Sequence, residues 1–236
     1  AAAGGVPMAR HGSRALTSAC GTVDILESLG VPLDVPPAEA ARSLRSAGIA
    51  LFNGMSEHVH PRALFRILSK IRFGSTLNIA ASLASPVNPA WGVRGVYDPG
   101  LVPVVAELME RIGYERSIVL HGFDSQGNPG VDEVSLEGAT VVLEKSSGRE
   151  PVRRILYPED FGVSRRSCSD VRALGSREAE RNRFLRVMAG VGDDACTDFT
   201  VLNAAVIFAC AGIAEDYLRG ADLARNILFS GKPFGT

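Results

Sequence analysis

One stretch, RGVYDPGLVPVVAELMERIGYERSIVLHGFD at residues 94–124, restricts the fold more than any other. It predicts a strand over Val93–Tyr97, a helix over Leu101–Ile112 with apolar residues at helical spacing, and a strand over residues 117–122. Gly113 is placed to end the helix. A strand, a helix and a strand in this order form a crossover. Such a crossover joins parallel strands in a sheet that is covered on its faces.

The rest of the chain continues the alternation of strands and helices. We predict further strands over Val6–Arg10, 48–54 and 139–145, and helices over 21–29, 36–48, 60–74, 177–189, 199–213 and 217–229. Residues 157–175 form a polar connection with few periodic cues. The predicted fold class is α/β, with a mostly parallel central sheet flanked by helices, in one domain over residues 1–236.

Composition narrows the classes of function. Nearly half of the 236 residues are apolar and the formal net charge is −1, so we expect a globular chain without the basic excess typical of nucleic-acid or membrane binding. No apolar run reaches the roughly 20 residues of a membrane span. The most apolar segment, Val201–Ala214, is interrupted by Asn203 and is predicted to be a core helix.

The four cysteines are too few and too widely spaced for a disulfide scaffold or a metal-binding motif. They are Cys20, Cys168, Cys196 and Cys210. A few widely spaced cysteines of this kind are typical of reduced thiols in a cytosolic protein.

The segment that follows the first predicted strand combines cations and hydroxyls with the start of a helix. Arg10 and Arg14 carry charge, and Thr17, Ser18 and Thr22 carry hydroxyls. A helix N-terminus has free N–H groups and a partial positive charge, so the segment is suited to an anion such as a phosphate. An ordinary N-cap by Ser18 or Thr22 is the alternative interpretation. Cys20 has no base placed beside it by the sequence, and we interpret it as a small filler residue.

A second candidate site lies in HGFDSQGNPGVDEVS, residues 121–135. This loop follows a predicted strand and ends in the adjacent acids Asp132 and Glu133. Paired carboxylates at a strand end are suited to a hard divalent ion such as Mg²⁺, which is often shared with substrate phosphates. A solvated acidic turn is the alternative.

Basic and imidazole side chains are concentrated between residues 58 and 72. His58 and His60 precede a predicted helix, but no further ligand cluster supports a metal there. The helix has a basic face formed by Arg62, Arg66, Lys70 and Arg72. Such a face is usually solvated. It could also hold the carboxylate of an aromatic substrate.

Several motifs together carry a family resemblance. RHGSRALTSACGTVDILESLG, residues 10–30, resembles a signature of a basic residue, His-Gly-Asn-Arg, Ser-Ser and Gly-Ser-x-Asp-x-Leu-Glu-x-Leu-Gly at matching spacing. HPRAL, SPVNPA, the acidic loop HGFD…GVDEVS, YPEDFGV and the segment that begins LNAAVIFACAGIA resemble later motifs. The family is that of the anthranilate phosphoribosyltransferases, in the nucleoside phosphorylase and phosphoribosyltransferase group. The resemblance covers essentially the whole chain.

The resemblance implies the catalytic domain of that group and a reaction in tryptophan biosynthesis in the cytoplasm. Ribose 5-phosphate moves from phosphoribosyl pyrophosphate (PRPP) to anthranilate or a related aromatic acceptor, with Mg²⁺. The bond to pyrophosphate breaks with little help from a nucleophile, so positioning and charge stabilisation suffice and no general base is required.

The resemblance also assigns residues to each ligand. The implied PRPP-binding residues are Arg10, His11, Gly12, Arg14, Thr17, Ser18 and Thr22. The implied acceptor-binding residues are His11, Ser13, His60 and Lys70. Asp132 and Glu133 are the implied Mg²⁺ ligands.

The sequence departs from the family pattern at several of these positions. Arg10 replaces a lysine, Ser13 replaces an asparagine, and Lys70 (or Arg72 in a shifted register) aligns with an arginine. GSTLNIAASLASPV stands where the family has Arg-Thr followed by Gly-Pro-Leu. A lysine can pair with a carboxylate but cannot form the two parallel bonds of a guanidinium.

Family members also have a small helical dimerisation domain and a Gly-Thr-Gly-Gly-Asp loop, both of which would precede Ala1. We therefore expect weak or absent activity from these residues alone. A homodimer is possible, although the usual pairing domain is not among them.

Two alternatives come from the same group. One is a nucleoside phosphorylase with phosphate as its second substrate. The other is a non-catalytic relative that binds nucleic acid, which the near-neutral charge disfavours.

Overall fold

The computed structural model describes residues 1–12, 20–53, 76–84 and 87–235. In chain order its strands and α-helices are β1 Met8–Gly12, α1 Thr22–Ser28, α2 Pro37–Ala47, β2 Ile49–Asn53, α3 Thr76–Leu83, β3 Trp91–Gly95, α4 Leu101–Ile112, β4 Arg116–Phe123, β5 Pro129–Val131, β6 Thr140–Ser146, β7 Val152–Leu156, α5 Arg177–Met188, α6 Asp194–Cys210 and α7 Tyr217–Phe229. Short 3₁₀ turns lie at Ala2–Gly4, Pro158–Phe161, Cys168–Val171 and Lys232–Gly235. The predicted α/β class is confirmed.

The chain packs as two compact units, which are described separately. The smaller unit comprises Ala2–Asn88 and Ala173–Arg186, and the larger unit comprises Pro89–Arg172 and Val187–Gly235. The single domain over residues 1–236 stays a prediction.

The smaller unit contains a two-stranded parallel sheet of β1 and β2. Helix α2 begins with a proline and ends at Gly48, whose φ of 72° is favourable only for glycine. Ala40, Ala50 and Phe52 form a buried cluster that joins α2 to β2. The first strand begins two residues later than predicted, at Met8, because Pro7 has no N–H to donate to the ladder. Arg10, His11 and Gly12 are the last three residues of β1.

The larger unit is built on a five-stranded sheet in the order β3-β4-β6-β7, with β5 paired to β4. The predicted crossover is confirmed: β3 and β4 are parallel and α4 connects them. Strands β5, β6 and β7 are antiparallel to their neighbours, so this sheet is mixed rather than mostly parallel as predicted. The antiparallel pairs follow from short connections, since only a parallel pair needs a crossover.

Helices cover both faces of this sheet. Lys145 and Glu144 are consecutive on β6, and consecutive side chains of a strand point to opposite faces. Lys145 forms an ion pair of 3.1 Å with Glu110 of α4, whereas Glu144 accepts a hydrogen bond of 2.8 Å from Tyr217 of α7. The six residues 117–122 of β4 are all buried, as expected for a central strand covered on two faces.

The described part of the chain contains no helix that is both long enough and apolar enough to cross a membrane. Segment Val201–Ala214, the most apolar in the sequence, lies mostly in α6, which carries Asp193 as its N-cap and packs against β3, β4 and α7. The prediction of a core helix is confirmed, with a start at Asp194 rather than at Phe199.

Candidate functional site

The first candidate region lies at the end of β1 and the start of α1. Arg10 Nη2 donates a hydrogen bond of 3.3 Å to the hydroxyl oxygen of Thr22. A Cβ atom added to Gly12 would make ordinary van der Waals contact with Thr22 and Val23, so the strand end packs directly against the helix start. Three of the predicted PRPP-binding residues, Arg10, Gly12 and Thr22, are therefore close together.

The N-terminus of α1 is less available to an anion than the sequence suggested. The helix has seven residues, and the N–H of Gly21 before it donates 2.9 Å to the carboxylate of Asp24. Asp24 is only 4% exposed and also accepts 3.1 Å from Arg177. The N-cap of α1 is Gly21 rather than Thr22, which is the first residue of the helix, and the other predicted N-cap, Ser18, lies outside the described residues. Asp24 thus occupies one N–H group at the helix start, whereas Arg10 beside Thr22 carries a full positive charge.

Cys20, next to this region, is not an activated thiol. Burial, followed by the negative charges of Asp24 and Glu180, raises the pKa of the Cys20 thiol. A nucleophilic cysteine requires the opposite shift. This supports the interpretation of Cys20 as a filler residue.

Several predicted site residues lie outside the described residues. They are Ser13, Arg14, Thr17, Ser18, His60 and Lys70, and the alternative Arg72 and the neighbouring His58, Arg62 and Arg66 lie there too. For His11 the structure describes the main chain, which pairs with Phe52 in the parallel ladder.

The second candidate region is the loop that carries the acid pair. We define residues 132–139, between β5 and β6, as the acidic loop. Asp132 and Glu133 lie in a bend with both residues exposed, directly after β5. The neighbouring Val134 and Ser135 are buried, at 1% and 0% exposure. The acid pair is thus exposed, and the residues that follow it are packed into the unit.

Two glycines make room for the main chain of the acid pair. A Cβ atom on Gly95, the last residue of β3, would overlap the carbonyl oxygen of Asp132. A Cβ atom on Gly122, near the end of β4, would lie 2.6 Å from the carbonyl oxygen of Glu133. Real Cβ atoms do not make such approaches, so only glycine fits at either position. The acid pair therefore rests on the ends of two adjacent parallel strands.

Hydrogen bonds from more distant elements fix the rest of the acidic loop. The side-chain oxygen of Asn203 in α6 accepts 3.0 Å from the N–H of Val134. The hydroxyl of Ser135 donates 2.6 Å to the carbonyl of Phe123, and the Arg166 N–H donates 2.8 Å to the carbonyl of Leu136. The guanidinium of Arg166 also pairs with Asp198 of α6 at 2.7 Å. The loop is anchored to a strand, a helix and the polar connection.

A cavity of about 290 Å³ opens at the other end of the same sheet. Arg116 and Ser146 line it, and they are aligned at the far end of the β4–β6 ladder from Gly122 and Thr140. One of its carboxylates, that of Glu144, accepts hydrogen bonds from Tyr217 and from Arg154. The cavity is therefore separate from the acidic loop.

The residues that support the acid pair were not predicted from the sequence. Gly95 and Gly122 interrupt apolar strands, and a glycine within a strand often marks the close approach of another backbone. That signal was available from the sequence, but it does not name the partner. Asn203 was noted only as an interruption of an apolar segment, whereas it bonds a residue 69 positions earlier.

Comparisons with known proteins agree on one family. The glycosyl transferase family, a/b domain, matches residues 1–234. The chain is 34% identical over 235 residues to the anthranilate phosphoribosyltransferase of Methanothermobacter marburgensis, covering 98% of the chain and 67% of that protein. It is 33% identical over 233 residues to the one of Persephonella marina, covering 99% and 67%. The chain thus spans about two thirds of the length of these relatives.

Solved structures share the fold. The anthranilate phosphoribosyltransferase of Thermus thermophilus superposes with a TM-score of 0.82 at 30% identity, over 99% of this chain and 67% of that one. The Saccharomyces cerevisiae enzyme, solved in complex with PRPP and Mg, gives a TM-score of 0.80 at 21% identity, over 99% and 64%. The chain belongs to the glycosyl transferase family, a/b domain, and within it to the anthranilate phosphoribosyltransferases.

Proposed function

We propose that this chain acts in the transfer of ribose 5-phosphate from PRPP to anthranilate. The names of its relatives support the reaction, and the anchored acidic loop is the observation on which the site assignment rests. Asp132 and Glu133 are exposed acids whose main-chain carbonyls pack against Gly95 and Gly122, an arrangement suited to binding a cation.

The donor set fits Mg²⁺, and Asp132 and Glu133 are the residues that would hold it. Among the described residues no cluster of three or more His, Cys, Asp or Glu side chains could enclose a metal ion. Mg²⁺ in phosphate-transferring sites is usually held by one or two carboxylates, and water and substrate phosphates supply the rest. When bound, Mg²⁺ neutralises charge on the pyrophosphate group.

The donor phosphates would be bound by the end of β1 and the segment that follows it. Arg10 supplies charge, Thr22 supplies a hydroxyl, and Gly12 keeps the strand end close to α1. The full proposed set is Arg10, His11, Gly12, Arg14, Thr17, Ser18 and Thr22. The proposed acceptor-binding residues are His11, Ser13, His60 and Lys70.

These residues act by orientation and charge. A leaving pyrophosphate gains negative charge as its bond to the ribose breaks, so fixed cations and hydroxyl donors stabilise it more than they stabilise the intact donor. The amine of anthranilate then needs only correct alignment with the ribose. The nitrogen loses one proton as its bond to the ribose forms, and the departing pyrophosphate or water can accept that proton, so the scheme assigns this role to no described side chain.

The test is a calorimetric titration of PRPP into the protein with Mg²⁺ or with EDTA. We expect Mg²⁺-dependent binding that weakens at least about tenfold in Asp132→Asn and Glu133→Gln, because each variant removes one anionic ligand. Glu150→Gln is the matched control, since Glu150 is an exposed acid outside the acidic loop. Binding that is equally tight in EDTA, or unchanged in both variants, would contradict the assignment.

The cytoplasmic location and a possible homodimer remain predictions. All four cysteines lie in the described part of the chain and none forms a disulfide, in keeping with a reducing compartment. Sedimentation velocity would measure the oligomeric state.

A further inference from the structure

His121 lies in β4 immediately before Gly122, one of the two glycines that support the acid pair. It is 1% exposed, which is unusual for an imidazole. The scheme proposed above gives it no role. A buried polar side chain of this kind calls for an explanation.

The polar contact that the structure gives His121 is with the end of β3. Its Nδ1 lies 2.7 Å from the carbonyl oxygen of Val96. A carbonyl oxygen only accepts, so Nδ1 carries the proton in this bond. The other ring nitrogen, Nε2, has no hydrogen-bond partner among the described residues. The ring packs edge-on against Phe123, with centroids 5.0 Å apart.

This hydrogen bond joins the two strand ends on which the acid pair rests. Val96 directly follows Gly95, which is in contact with the carbonyl of Asp132. His121 directly precedes Gly122, which approaches the carbonyl of Glu133. Among the described residues, the main-chain hydrogen bonds between β3 and β4 end with the bond of 3.0 Å from the Val96 N–H to the carbonyl of Leu120. The His121–Val96 bond is thus a cross-link one step beyond the ladder, between residues that adjoin the two glycines against which the acidic loop packs.

We infer that His121 is a positioning residue for Asp132 and Glu133, an inference that rests on the function proposed above. The imidazole fixes the distance between Gly95 and Gly122. It thereby fixes the position of the main chain that carries the two carboxylates. Mg²⁺ demands near-ideal octahedral geometry, so a small displacement of either carboxylate weakens its binding.

Two variants separate this role from simple core packing. His121→Leu keeps an apolar side chain of similar size but has no donor. His121→Asn is smaller and polar, but its amide N–H can replace Nδ1. If His121 only fills space, leucine is the better substitute. If it positions the acid pair, asparagine is the better substitute.

The experiment has two readouts on the full chain. The first is the Mg²⁺ concentration that half-saturates PRPP binding, measured by calorimetry. The second is amide hydrogen exchange of peptides that cover residues 93–98 and 130–136. For His121→Leu we expect about a tenfold higher Mg²⁺ requirement, the effect of one lost hydrogen bond, and faster exchange in both peptides. For His121→Asn we expect values within about threefold of wild type.

Wild-type Mg²⁺ dependence and exchange in His121→Leu, or equal impairment of the two variants, would overturn the inference. If His121→Leu does not fold, His121→Phe replaces it, since phenylalanine keeps a ring against Phe123 and has no donor. If the wild-type protein shows no Mg²⁺-dependent PRPP binding, the proposed function fails, while the exchange measurement still decides whether His121 positions the acidic loop.

Discussion

At the scale of single residues, Gly95 is the strictest requirement that the structure places on the acidic loop. Its Cα faces the main chain of Asp132 with no room for a side chain. A backbone carbonyl cannot rotate away as the end of a flexible side chain can. A larger residue at position 95 must therefore move the strand end or the loop.

We predict that Gly95→Ala destabilises the protein by about 1–3 kcal/mol, the usual cost of overpacking. The same change should weaken Mg²⁺-dependent PRPP binding, because the loop that carries Asp132 is displaced. Urea unfolding and calorimetry measure the two effects. Gly235→Ala is the control, since a Cβ atom there meets no atom within 4 Å. A Gly95→Ala protein with wild-type stability would show that the loop is not packed as described.

Asn203 in α6 is a second residue that supports the acidic loop. Its side chain accepts from the Val134 N–H and donates 3.0 Å to the carbonyl of Phe199. In Asn203→Leu the N–H of the buried Val134 loses its acceptor, which costs about 1–3 kcal/mol.

The control is Asn203→Asp, which keeps an oxygen acceptor for Val134 and should retain more of the stability. Chemical denaturation of both variants compares them. If Asn203→Leu were as stable as Asn203→Asp, the bond to Val134 would not support the loop.

At the scale of elements, the hairpin of β4 and β5 leads the chain into the acidic loop. Its turn is organised by Asp124, whose carboxylate accepts 2.9 Å and 2.8 Å from the side chain and main chain of Asn128 and 2.9 Å from the N–H of Gln126. Hydrogen bonds from the Asn128 side chain and then its main chain hold the pKa of Asp124 below its ordinary value. The ionised carboxylate is therefore the form that stabilises the turn.

This shift gives a pH prediction with a definite sign. A carboxyl group whose pKa is lower in the folded state stabilises the fold above its unfolded pKa of about 3.9, and the effect is lost as the pH falls through the folded value. Asp124→Asn should lower Tm at about pH 7, and the difference from wild type should shrink toward about pH 3. Thermal unfolding at both pH values tests this. A constant difference would mean that the charge of Asp124 is not involved.

The elements also show why some of the fold was predictable and some was not. Helix α4 was predicted with its exact bounds because its apolar periodicity and its terminal Gly113 are local signals. Strands β5 and β7 were missed: β5 has three residues, and four of the five residues of β7 are exposed. An edge strand of this kind lacks the alternation that marks a strand in the sequence.

At the scale of the whole molecule, the sequence identified the family and the candidate residues but not their supports. The adjacent acids Asp132 and Glu133 can be identified directly from the sequence, because they are consecutive residues. The contact between Gly95 and Asp132, the bond from Asn203 to Val134 and the capping of Gly21 by Asp24 depend on how the chain folds back on itself. The capping of Gly21 by Asp24 makes the α1 N-terminus less available to an anion than predicted, because a carboxylate already accepts from one of its N–H groups.

The most direct measurement of the central claim is a crystal structure of the protein grown with PRPP and Mn²⁺, located by its anomalous scattering. Mn²⁺ takes the same oxygen ligands as Mg²⁺. We predict the ion within roughly 2.3 Å of a carboxylate oxygen of Asp132 or Glu133 and in contact with a phosphate oxygen of PRPP. An ion bound elsewhere, with both carboxylates left in solvent, would contradict the assignment of the acidic loop as the metal-binding part of the site.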